Sequence, residues 1–245
     1  MEELSRLIDQ DYSNVPLLAA IKQGDLGLAK ELLANGSPVN DVDDAGTTAL
    51  MLACHLEKLD AVKFLLEKKT QVNLRDKNGA TALMFAAYNG QIEVISLLIE
   101  AGAVLNEANS VGNFSSVVSA NSALVYAAQN CHEEAVKLLI EKGVDKNGIG
   151  RNGLSPLMAA ARYDCLSVIK LLVSLGAEVN LKSQNGSTAL HKAVQDGHLE
   201  AAKFLLEHGA DPNTKNEYQT TALSIARNNN HQAICDLLSG FGAKE

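Results

Sequence analysis

Asn185-Gly186-Ser187-Thr188-Ala189-Leu190-His191-Lys192-Ala193 is followed by Gly197-His198, then Phe204-Leu205-Leu206, then Gly209-Ala210-Asp211-Pro212-Asn213, and this stretch decides the fold. Thr188 is of the type that caps a helix by accepting from an orphan backbone N–H, so a short helix is expected just after it. Gly197 supplies a cheap positive-φ turn that ends this helix. A second helix carries the apolar triplet Phe204-Leu205-Leu206 and stops at Gly209. The polar segments between units, such as Asn73-Leu74-Arg75-Asp76-Lys77-Asn78-Gly79, contain an Asn-Gly step and read as hairpin turns.

The same pattern recurs along the chain. Aligning Val15, Thr48, Thr81, Ser122, Ser155, Thr188 and Thr221 gives successive offsets of 33, 33, 41, 33, 33 and 33 residues. A fixed period of this length is the signature of a stacked array. Leu and Ala at the third, sixth and seventh positions, for example Leu83, Ala86 and Ala87, leave a face on which neighbouring helices approach closely. Pro16 and Pro156 sit one residue after the cap, where a missing N–H costs nothing. Each unit is helix, turn, helix, hairpin, and buries its apolar faces only against a neighbour. The second copy departs from the pattern, with Glu57 at the turn glycine and Lys69 at the helix-ending glycine, so both are expected at positive φ.

These motifs resemble the ankyrin repeat, whose T-P-L-H-x-A motif, G-H turn, L-L-L run and G-A-D-x-N ending fall at the same spacings. Thr48-Ala49-Leu50-Met51, Thr81-Ala82-Leu83-Met84 and Ser155-Pro156-Leu157-Met158 carry the first motif in other copies, and the likeness spans residues 15–243. The resemblance implies an all-α solenoid of stacked helix-turn-helix units with projecting β-hairpin loops. It is read as one domain over 1–245, with repeats starting near 11, 44, 77, 118, 151, 184 and 217. Leu4, Leu7 and Ile8 have helical spacing and suggest an N-terminal helix within 1–13. The more polar first and last copies read as caps.

Composition narrows the partner. The net charge of −8 and a pI near 5.3 argue against nucleic acid, which calls for a basic face, and favour a protein partner with a basic surface. No long apolar run or signal peptide is visible, so no membrane association is expected, and a monomer is anticipated. Four scattered cysteines read as small hydrophobes in a reducing compartment, which gives a cytoplasmic location.

The motifs of catalysis and metal binding are missing from the sequence. Cys54-His55 and Cys131-His132 are adjacent pairs whose side chains diverge on a helix. Asp41-Val42-Asp43-Asp44-Ala45-Gly46 begins like a calcium loop, but its twelfth position is Leu52 rather than a bidentate Glu. His191 and His198 read as braces for the turns rather than as catalytic bases, which need oriented partners. No enzyme activity, cofactor or metal is expected.

The ankyrin resemblance implies that a partner is held by the concave side, formed by hairpin tips and by the fifth, eighth and ninth positions of each first helix. The register assigns Leu52, His55 and Leu56, then Phe85, Tyr88 and Asn89, then Tyr126, Gln129 and Asn130. Leu154 and Tyr218 fall in hairpins, and Arg162 and Tyr163 end the first helix of the fifth copy. From these, Leu56, Phe85, Tyr88, Tyr126, Leu154, Arg162, Tyr163 and Tyr218 are the expected contacts, since aromatic and Arg residues dominate protein-binding hot spots. The eight extra residues between the third and fourth copies lengthen the segment 107–121 and bring in Phe114, a further expected contact. Two functions fit: a non-enzymatic scaffold, or an accessory or inhibitor subunit masking an enzyme or toxin.

Overall fold

The computed structural model describes residues 12–105, 121–150 and 153–244. Fourteen helices are present among them, with no named strand. In chain order they are α1 Pro16–Gln23, α2 Leu26–Ala34, α3 Ala49–His55, α4 Leu59–Glu67, α5 Ala82–Tyr88, α6 Ile92–Glu100, α7 Asn121–Gln129, α8 Glu133–Glu141, α9 Pro156–Arg162, α10 Leu166–Ser174, α11 Ala189–Gln195, α12 Leu199–Glu207, α13 Ala222–Asn228 and α14 Gln232–Gly240. Odd-numbered helices are the first of each pair and even-numbered helices the second. The fold is the all-α stack of helix-turn-helix pairs that the register implies. The expected N-terminal helix falls mostly on residues 1–11, and the lengthened segment mostly on 106–120, both outside the described residues. Its last residue, Asn121, already belongs to α7, so this helix runs through Ser122 instead of starting after it as a cap.

Inter-residue packing divides the chain into two compact units, residues 1–123 and 124–245. In the first, α3 packs on α1 and α5, and each first helix on its own second helix. In the second, α11 packs on α9 and α13, while α10 lies against α8 and α12. The small side chains make this closeness possible: Ala53, Ala86, Ala87, Ala160 and Ala193 are fully buried, together with Leu98 and Leu172 of the second helices.

Apart from the start of α7, the start and stop signals act where the sequence places them. Thr48 Oγ1 accepts from Met51 N at 3.1 Å, Thr81 from Met84 N at 3.4 Å, and Ser155 Oγ from Met158 N at 3.2 Å. The turn after each first helix holds one left-handed residue, glycine in three copies and Glu57, Cys131, Asp164 or Asn230 in the others. Glu57 and Lys69 both have φ 56°, as the register requires. Described fingers close on themselves, with Asp76 N to Ala80 O at 3.0 Å and Ser183 N to Ser187 O at 2.9 Å. Fingers also bond to their neighbours within a unit, through Lys77 N to Ala45 O at 2.8 Å and Glu217 N to Asn185 O at 3.0 Å.

Among the described residues, asparagines tie neighbouring copies together within each unit. Asn73 donates to Gly102 O and accepts from Val104 N, and Asn180 does the same with Gly209 O and Asp211 N, all at 2.8–2.9 Å. One amide thus satisfies an orphan carbonyl at a helix end and an N–H just beyond it.

The cysteines depart from the expectation. Cys54 and Cys235 are free and buried, as small hydrophobes should be, but Cys131 and Cys165 form a disulfide across 34 residues. One period plus one residue separates them, so stacking brings the two inter-helix turns together. The bond removes the premise from which a cytoplasmic location follows. No described helix is long and apolar enough to cross a membrane.

Candidate partner-contact site

The fifth, eighth and ninth positions of each first helix and the fingers beside them form the candidate site, and each unit contributes a separate group. In the first unit, α3 ends at His55 and is followed by Leu56, while α5 ends at Tyr88. Asn89 Nδ2 reaches back to the carbonyls of Cys54 and His55 at 3.3 and 2.9 Å, capping α3 from the next copy. Leu56 and Tyr88 are half-buried and keep part of their surface open.

Phe85 is not a contact residue. It is 1% exposed, its ring meeting that of His55 edge-on at 5.5 Å between centroids. The alanines beside it draw α3 and α5 so close that a ring at the fifth position fills the gap between them. His55 is buried with it, and neither ring nitrogen has a hydrogen-bond partner among the described residues. Burial pulls its pKa below the ordinary histidine value, partly countered by Glu57.

The second unit shows the same division. Leu154 is 5% exposed and is corrected to core: it precedes the cap Ser155 in the register of Thr47, Ala80 and Ser187, which are all buried. Tyr126 is half-buried on α7. Tyr163 and Tyr218 are open, at 38% and 76% exposure. Phe114 lies outside the described residues.

Around Tyr163 the structure assembles a group that the residue list does not anticipate. The Arg162 guanidinium sits 5.8 Å from the Tyr163 ring centroid, and its Nε lies 3.9 Å from Asp196 Oδ2. Lys192 is half-buried on α11, and its pKa is lowered by burial and by Arg162, with Asp196 acting oppositely. Lys192 and Asp196 are the fifth and ninth positions of the sixth copy, so applying the register there finds both. A long ion pair between exposed groups is worth at most about 1 kcal/mol, so Asp196 does not commit Arg162 to one geometry. The group therefore offers an aromatic face, two cations and a carboxylate to an incoming surface.

The backbone beneath these residues is firmly held. His198 Nε2 donates to Arg162 O at 2.9 Å, closing the end of α9 from the next copy, and His198 Nδ1 lies 3.8 Å from Asp164 Oδ2. His191 accepts from Thr188 N at 3.2 Å, completes a capping box and faces Thr220 O at 3.3 Å through its other nitrogen. Both histidines brace structure. Burial is the main reason that the His191 pKa lies below the usual value.

Comparison with known proteins agrees with this architecture. The sequence pattern described as ankyrin repeats (3 copies) matches residues 17–109, 106–183 and 175–244. The crystal structure of the human ASB11 ankyrin repeat domain superposes with a TM-score of 0.78 at 28% identity, covering 94% of this chain and 99% of that one. No curated protein matches the sequence.

Proposed function

The chain belongs to the ankyrin repeat family, whose repeats generally mediate protein–protein interaction, and on that premise we propose that it is a non-enzymatic scaffold. A protein partner is held by the first-helix ends and fingers. The observation that carries this reading is the group around Tyr163: an open ring, the Arg162 guanidinium over it, and Lys192 and Asp196 from the next copy. Aromatic rings with Arg beside them are the side chains most enriched in binding hot spots. Tyr88, Leu56, Tyr126 and Tyr218 extend the contact within their own units.

Charge distribution refines the partner. Residues 1–123 carry sixteen acidic and nine basic side chains, whereas 124–245 carry thirteen and twelve. A basic partner surface is matched by the first unit, and a mixed polar and aromatic surface by the second. Long-range attraction of this kind speeds encounter more than it tightens the complex.

Affinity capture with the full chain, followed by mass spectrometry, tests the proposal. The same capture with Tyr88 and Tyr163 both replaced by Ala is the comparison. At least one protein is expected to bind the natural chain and be lost from the folded variant. If every captured protein is retained equally, these positions are not the interface. Recovery of a single enzyme or toxin in one-to-one ratio, with its activity suppressed, favours the inhibitor role over the scaffold.

A further inference from the structure

Cys131 and Cys165 occupy two register positions that the stack presses together elsewhere too. Cys131 is the left-handed residue between α7 and α8, with φ 60°, and Cys165 is the N-cap of α10. One junction later the equivalent pair is Asp164 and His198, 3.8 Å apart. At the next, a Cβ on Gly197 would stand 2.9 Å from the His231 ring, and at the first, a Cβ on Gly24 would stand 2.9 Å from Lys58 Nζ. Side chains at these positions meet because of the fold. In the fourth and fifth copies both carry sulfur, with Cα atoms 5.0 Å apart.

Cys165 also has a second position to serve. Side chains at its register position reach back to the end of the preceding first helix: Gln91 Nε2 donates to Cys54 O, and His198 Nε2 to Arg162 O. Cys165 Sγ lies 3.7 Å from Gln129 O, the last residue of α7, and 3.7 Å from Tyr163 O. A thiol there donates to a carbonyl as Gln91 and His198 do, whereas a disulfide sulfur has no proton to give. The junction is thus built for two states, a covalent staple or a hydrogen-bonded clamp.

We propose that Cys131 and Cys165 form a dithiol site that exchanges with low-molecular-weight disulfides of the glutathione type. Cys131 is the attacking residue because its side chain is exposed, and Cys165, 2% exposed, is the resolving one. The Cys131 thiolate attacks one sulfur of the small disulfide, forming a mixed disulfide and expelling one small thiolate. The Cys165 thiolate then attacks the Cys131 sulfur and expels the second. The protons of the two cysteines end on the two small thiols, so one small disulfide is reduced as the cysteine pair is oxidised. In the reverse direction a small thiolate attacks exposed Cys131, and Cys165 departs, takes the proton the small thiol gave up and donates it to Gln129 O. A second small thiol then attacks the mixed disulfide to release Cys131 and the small disulfide. Cys54 and Cys235, buried and free, take no part.

The test uses the full chain, reduced, exposed to oxidised glutathione, quenched by alkylation, and analysed by intact and peptide mass spectrometry. The natural chain is expected to yield the Cys131–Cys165 bond without a lasting adduct. Cys165→Ser and Cys165→Ala should each trap one glutathione on Cys131, while Cys131→Ser should leave Cys165 unmodified over the same time. Amide exchange in the natural chain, which needs no substitution, should rise around residues 163–166 on reduction and stay unchanged in α3. No adduct on Cys131 in either Cys165 variant overturns the proposal. So does a lasting adduct in the natural chain, modification of Cys54 or Cys235, or exchange that ignores the redox state.

Discussion

Lys69 has φ 56° at the position where Gly36, Gly102 and Gly209 end the second helices of other copies. A Cβ at any of those glycines would meet nothing within 4 Å, so a side chain at this place clashes with nothing and its cost is in the backbone alone. Left-handed conformation costs a non-glycine residue about 1 kcal/mol, and Lys69→Gly is expected to stabilise by up to that amount in urea denaturation. A lowered midpoint would contradict the assignment of strain. His191 gives a pH dependence. Its folded pKa lies below the ordinary value of 6.5, so the unfolded chain takes up the proton first. Stability from this residue is present above about pH 6.5 and declines as the pH falls toward the lowered folded value. His191→Gln keeps an acceptor for the Thr188 N–H, as capping boxes with Gln do, and should flatten the fall of stability below about pH 6.5. An unchanged slope would place the titration elsewhere, with buried His55 the next candidate. Strain at Lys69 was readable from the repeat, because one register compares seven residues at the same place. The lowered pKa of His191 was not, since it comes from how deeply the next copy covers the ring.

Among the elements, neighbouring fingers meet backbone to backbone. A Cβ on Gly186 would stand 3.1 Å from Asn216 Cα and 3.3 Å from Glu217 N, the backbone of the next finger. Backbone cannot swing aside as a flexible side chain can. Gly186→Ala is therefore expected to destabilise more than Gly209→Ala, where φ is also positive but the space is open, by about 1 to 3 kcal/mol in thermal or urea unfolding. Equal losses would show that the fingers move apart freely. Helix starts other than that of α7, turns and the described fingers were legible, since capping Thr or Ser, turn glycines and apolar triplets each name their own place. Burial of Phe85 and Leu154 was not: whether a ring at the fifth position projects or fills depends on the gap between first helices, which the alanines of two copies set together. Lys192 and Asp196 were missed, although carrying the register of Phe85 and Asn89 into the sixth copy finds both. The Cys131–Cys165 pair was missed by reading the cysteines one at a time, although their separation of one period plus one residue carries the signal.

At the scale of the whole molecule, stability and recognition reside in different residues. Leu98 is fully buried in α6, and Leu98→Ala should cost about 2 to 5 kcal/mol of stability. Tyr163 is open and Tyr88 half-buried at the end of its helix, so their loss should leave the core intact. The central claim is that these first-helix ends bind a protein. It is tested most directly by titrating a captured partner into the natural chain and into the Tyr88→Ala/Tyr163→Ala chain, with unfolding curves recorded on the same samples. The account predicts an affinity loss of about 2 kcal/mol or more with the unfolding midpoint retained. Unchanged affinity in a folded double variant would contradict it.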